Sequence, residues 1–154
     1  MRSLDLVVEQ IQPTSEQLSS INLRRLKTAM KKGAELPLPG LMKHPEEEGQ
    51  YLVFDGHHRL YLSAKLTPEL IRVNIIENVQ DVLCYDGYFS VDDNNIIWEE
   101  EISGLLRLRR ERVKKGIISV LDIPISKMVG FVMILVSVLS KLFISAIVFR
   151  AFFS

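Results

Sequence analysis

The run Asp55-Gly56-His57-His58-Arg59 gathers a carboxylate, two imidazoles and a guanidinium around one glycine. It follows the apolar stretch Tyr51-Leu52-Val53-Phe54 and opens the pattern Leu60-Tyr61-Leu62-Ser63-Ala64-Lys65-Leu66, so the order reads strand, tight turn, helix. The first backbone N–H groups of a helix lack intrahelical partners and lie at the positive end of its dipole, which makes the place a receptor for phosphate oxygens. Arg59 adds a planar, permanently charged donor fork. Gly56, His57, His58 and Arg59 are therefore candidate phosphate-binding residues. The structural alternative on the same residues is an Asp55 turn shaped at Gly56, followed by histidines that bind nothing.

The flanking pattern supplies a frame for this turn. Leu4 to Val8 reads as a strand, and residues 16–32 as an amphipathic helix with Leu18, Ile21, Leu23, Leu26 and Met30 on its apolar side. Thr14 or Ser15 is positioned to cap that helix, with Glu16 as a first-turn carboxylate favoured by the dipole, and Gly33 ends it. Leu36 to Met42 is extended but carries Pro37 and Pro39, which predicts an edge or irregular strand. Pro45 to Gly49 is a charged, solvated tip with His44 beside it. Thr67-Pro68 breaks the second helix, and the β-branched run Ile71 to Ile76 suits a buried strand. Val82 to Val91 reads as further extended structure in which Tyr85, Tyr88 and Phe89 pack, residues 92–95 as a loop, and Trp98 as core. Cys84 has no basic neighbour to activate it and reads as a buried, inert thiol.

The pentapeptide in this order of elements resembles the ParB/sulfiredoxin superfamily from Leu4 to about Ile76. The resemblance implies an α/β (α+β) fold with a mixed sheet and flanking helices, and a loop at residues 55–59 that holds nucleotide phosphates. Sulfiredoxins carry a reactive cysteine where this chain has His57, which argues against sulfinic-acid chemistry. ParB partition proteins continue into a second phosphate motif and a helix-turn-helix domain; here Glu77-Asn78-Val79-Gln80-Asp81 ends in Asp81 in place of Arg, and residues 83–154 do not read as such a domain. The Asp-Gly-His-His-Arg spelling is that of the free-serine kinases. That branch implies Glu16 as the base on a substrate hydroxyl, with one more residue between Pro13 and Glu16 than its pattern has. It also implies ATP or ADP as donor and a small hydroxyl compound as acceptor, with Asp55 holding Mg²⁺ or orienting the acceptor. A nucleotide-binding regulatory module without catalysis is the alternative.

Composition sets outer limits. Nineteen basic residues balance nineteen acidic ones, so no whole-chain field recruits nucleic acid, and one cysteine among 154 residues excludes a disulfide scaffold. Residues 99–115 form a helical pattern, acidic first and basic last, whose arginines lack interleaved aromatics for stacking bases and read as a solvated or membrane-facing surface. Residues 128–149 are nearly all apolar, interrupted by Lys141 and three serines, and are long enough to cross a bilayer, the alternative being a buried helix packed on the domain or in an oligomer. The expected organisation is a nucleotide-binding domain at 1–98, a basic helix and linker at 99–127, and a hydrophobic helix at 128–149. The bias of basic residues places the domain on the cytoplasmic side, and residues 1–10 do not read as a secretory leader.

Overall fold

Tyr51-Leu52-Val53 has no charged side chain, and a strand turns successive side chains to opposite faces, so this run demands cover on both sides. A computed structural model of the chain describes residues 1–67, 69–85 and 98–126 and meets that demand. Its elements are β1 (Arg2–Leu6), β2 (Ile11–Gln12), β3 (Leu18–Ser19), α1 (Ser20–Lys31), β4 (Gly40–Lys43), β5 (Tyr51–Asp55), α2 (His57–Leu66), β6 (Ile71–Ile76), α3 (Val79–Cys84), α4 (Trp98–Lys114) and β7 (Ile125–Ser126). Five strands form a mixed sheet in the order β1-β6-β4-β5-β2, and β3 pairs with β7 in a separate parallel ribbon. The α/β class with a mixed sheet and flanking helices is thus the observed one.

Tyr51 and Val53 face a core with Leu23 of α1 and Leu60 and Ala64 of α2, whereas Leu52 joins Met42, Ile76, Val82, Tyr85 and Leu105 on the other side. Helices α1 and α2 therefore cover one face of the sheet, and α3 and α4 the other. Ile117, Val120 and Ile123 return to the first core. Residues 98–126 are consequently built into the same cores as the residues before them.

Several local expectations change. Helix α1 starts at Ser20 because Leu18–Ser19 is drawn into the ribbon with Ile125–Ser126, and Ser19, not Thr14 or Ser15, caps it by accepting from Asn22 N. Pro37 and Pro39 precede β4, which is consequently an inner strand between β6 and β5. His44 is buried, its Nδ1 accepting from the N–H groups of Glu46 and Glu47. Residues 79–84 are helical where an extended segment was expected to begin; Asn78 caps α3 by accepting from Asp81 N, so the Glu77-to-Asp81 run is helix-start chemistry. Cys84 is exposed. Tyr88, Phe89, residues 92–95 and residues 128–149 lie outside the described residues. Among the described residues, no helix is long and apolar enough to cross a membrane.

The basic helix is solvated at Arg107, Arg110, Lys114 and Lys115, but not along the whole of its charge run. Arg109 and Arg112 are buried. Arg109 donates to Gln12 Oε1 and to Ile117 O, both at 2.9 Å, and Arg112 donates to Thr14 O at 3.1 Å. Replacing Arg109 with alanine strips two buried acceptors of a charged donor and should cost about 1–3 kcal/mol in urea denaturation. A solvated helix face would change by no more than about 0.5 kcal/mol.

Candidate functional site

Strand β5 ends at Asp55 and α2 begins at His57, leaving Gly56 alone to turn the chain. Its φ of 92° lies in the left-handed region, and a Cβ there would stand 3.0 Å from Pro39 Cα and Cβ and from an Arg59 guanidinium nitrogen. Glycine is required both by the backbone and by the close approach. No side chain caps α2. Its first turn therefore offers backbone N–H groups and the positive dipole end without a side-chain acceptor of its own.

Arg59 does not reach outward from this turn. Its guanidinium donates to Asp55 Oδ2 at 2.6 Å, to Pro37 O at 2.5 Å, to Leu38 O at 3.3 Å and to the Tyr85 hydroxyl at 3.0 Å. Tyr85 has Leu38 O at 3.0 Å and Asp55 Oδ2 at 3.2 Å within donating distance, and burial pushes its hydroxyl up to about 12, so it stays protonated. Asp55, Arg59 and Tyr85 thus form a polar brace under the 37–39 segment on which Gly56 packs. Sequence reading assigned Tyr85 only to packing; nothing in its neighbourhood along the chain announces partners on three other elements.

The two histidines also turn inward. His57 Nε2 accepts from Thr14 N at 3.1 Å and Ser15 N at 3.0 Å, with Thr14 Oγ1 a further 3.0 Å contact, and His58 Nε2 accepts from Ser19 N at 2.9 Å. An imidazole nitrogen that accepts backbone N–H must be unprotonated, so the network assigns both rings to the neutral form with the proton on Nδ1. Burial, with a smaller contribution from His58, lowers His57 to about 3; burial also lowers His58, opposed by Asp55. His57 retains some accessible surface, yet its Nε2 faces only protein donors. Neither ring supplies positive charge near neutral pH.

These bonds fasten the segment that carries Glu16 to α2. Residues 14–19 are held against the start of α2 at both ends, and Glu16 follows Ser15, whose N–H is on His57. Glu16 lies ahead of α1 rather than in its first turn. Its carboxylate is exposed and pairs with Arg112 at 3.0 Å and with Lys115. The Lys115 hydrogen bond and charge, aided by Arg112, hold it below the usual carboxylate range, so it is ionised at neutral pH. For Mg²⁺ the protein offers little: among the described residues no three His, Cys, Asp or Glu side chains converge, and Asp55 Oδ2 is already occupied by Arg59 and Tyr85. The residues present do not make a protein-built Mg²⁺ cage.

No protein family and no curated protein matches the chain. Among solved structures it is similar to a conserved hypothetical protein from Pyrococcus furiosus (24% identity, TM-score 0.43), with 50% of this chain and 33% of that one covered. A second likeness is to a protein from Agrobacterium tumefaciens (14% identity, TM-score 0.41), with 77% of this chain and 50% of that one covered. The chain thus spans a third to a half of the length of these proteins. Neither likeness carries a functional argument.

The acceptor role of His57 has a sign that can be tested. The unfolded chain takes up a proton on this ring near 6.5 and the folded one only near 3. The stabilisation is therefore complete above about pH 6.5 and falls away toward pH 3, by at most about 1.4 kcal/mol per pH unit. Thermal melts of the wild type and His57→Gln between pH 7 and 4 should diverge in slope, the variant being flatter; parallel curves would remove the buried acceptor from the account. Gly56→Ala should separately lose about 1–3 kcal/mol through strain and the Pro39 approach, read by chemical denaturation.

Proposed function

We propose that the first turn of α2 receives the phosphates of a nucleotide, ATP or ADP, and that the protein transfers a phosphoryl group to a small hydroxyl compound. What supports this reading is an uncapped helix start at Gly56, with the segment that carries Glu16 fastened to α2 on either side of that residue through Ser15 N on His57 and Ser19 N on His58. The spelling of residues 55–59 makes serine the acceptor to try first. Backbone N–H groups of His57, His58 and Arg59 would take the phosphate oxygens. The Arg59, Asp55 and Tyr85 side chains keep the turn in shape, and Mg²⁺ would arrive on the nucleotide.

In the proposed reaction Glu16 gives up Lys115 to the approaching acceptor and takes the proton of its hydroxyl. The hydroxyl oxygen bonds to the terminal phosphorus as the bridging P–O bond breaks, and the nucleotide leaves one phosphate shorter. A carboxylate ionised at neutral pH is in the correct state for this role.

One observation favours a second reading. Both Glu16 oxygens are already in ion pairs, as expected of a fastening between residues 14–19 and α4 in a nucleotide-binding regulatory module. A DNA-binding reading loses support, since Arg109 and Arg112 are spent inside the fold.

Glu16→Gln separates the first two. With ATP and with ADP, Mg²⁺ and a panel of small hydroxyl compounds including serine, the wild type should transfer phosphate. The variant should lose about 10²–10⁴-fold in turnover while binding nucleotide as before by calorimetry. Binding without transfer in the wild type would leave the regulatory module, and absence of binding would overturn the phosphate assignment altogether.

A further inference from the structure

Helices α1 and α2 run the same way. Their N-terminal ends are joined by the His58 bond to Ser19 N, and a groove of about 340 Å³ lies between Met30 and Ala34 at the far end of α1 and Ser63 and Thr67 at the far end of α2. In a chain of balanced charge, neither helix contains an acidic residue. Around their C-terminal ends Lys31, Lys32, Lys65 and Arg72 are exposed, and none has an ion-pair partner among the described residues. Glu35 and Glu69 stand at the same end, and Asp5 is opposite Arg72 across the β1–β6 pair, so three carboxylates face these four cations. Arg24 and Lys27 continue the positive strip along α1 in helical register with Lys31.

Lysines in the last turn of a helix complement its dipole and need no ligand. The large apolar side chains set among them are not explained that way. Met30, Leu66 and Leu70 are 36%, 60% and 58% exposed, and Met30 and Leu70 line the groove with Leu36 and Pro37. Leucine and methionine side chains standing in solvent next in sequence to exposed lysines, as Leu66 is to Lys65 and Met30 to Lys31, match a lipid bilayer surface, where apolar side chains enter the acyl boundary and ammonium groups meet phosphate and carboxylate headgroups. A nucleic-acid surface would present free aromatic platforms in these places; the Tyr61 ring is instead covered by Lys65, whose ammonium lies 5.6 Å from its centre.

We propose that the C-terminal ends of α1 and α2, with Leu66, Leu70 and Met30 as the apolar contact and Lys31, Lys32, Lys65 and Arg72 around it, form a docking surface for bilayers containing anionic phospholipid. The surface is at the opposite end of α2 from Gly56. It does not depend on the nucleotide reading.

The test is co-sedimentation of the full chain with vesicles of phosphatidylcholine alone and of phosphatidylcholine with phosphatidylserine, over a range of salt. Binding should favour the anionic vesicles and weaken with salt. It should drop by at least about tenfold in Lys31→Glu/Lys32→Glu/Lys65→Glu and also in Leu66→Ser/Leu70→Ser, all surface positions whose unchanged circular dichroism shows intact folding. Attachment through residues 128–149 alone predicts salt-insensitive binding that both variants retain, and that result would overturn the proposal. So would an oligonucleotide affinity lost in the lysine variant when vesicles show no preference for anionic lipid.

Discussion

Two neutral imidazoles hold this architecture together. Each uses Nε2 to accept backbone N–H groups from a segment that belongs to neither the sheet nor a helix for most of its length, Thr14 to Ser19. Without those acceptors the N–H groups of Thr14, Ser15 and Ser19 would be left part-buried and unpaired, a state that costs more than a made hydrogen bond returns. The same bonds fix where β3 begins, so they also determine where β7 can pair and how α4, through Arg112 and Lys115, closes over Glu16.

A consequence is that a motif rich in phosphate-binding side chains spends those side chains on the protein. Arg59 is tied to Asp55, to two carbonyls and to Tyr85; His57 and His58 are tied to residues 14–19. What remains without a side-chain acceptor is backbone: the first turn of α2 beyond a left-handed glycine. Affinity for an anion would come from oriented N–H groups and the helix dipole, which require no side-chain reorganisation.

Features set by neighbours along the chain were legible in the sequence. The helix at residues 57–66 and the strand at 71–76 have the bounds their periodicity predicts, and Gly33, at φ 76°, ends α1. Features set by distant partners were not. Leu18 and Ser19 fit a helix pattern until Ile125 and Ser126 pair with them, and the arginines of α4 look like a solvated face until Gln12, Thr14 and Ile117 present acceptors to them. The fastening of residues 14–19 to α2 rests on two histidines acting as acceptors rather than donors, a matter of tautomer and burial that residue type does not carry.

Ring-nitrogen NMR of the full chain labelled with ¹⁵N at histidine and along the backbone, recorded with and without ADP, addresses this account most directly. His57 and His58 should show unprotonated Nε2 and protonated Nδ1 at neutral pH, His57 should resist titration through pH 5, and ADP should move the backbone amides of residues 57–59 while leaving both rings neutral. Rings that titrate near 6.5, or that become imidazolium when ADP binds, would contradict the claim that these side chains build the site and the backbone receives the phosphate.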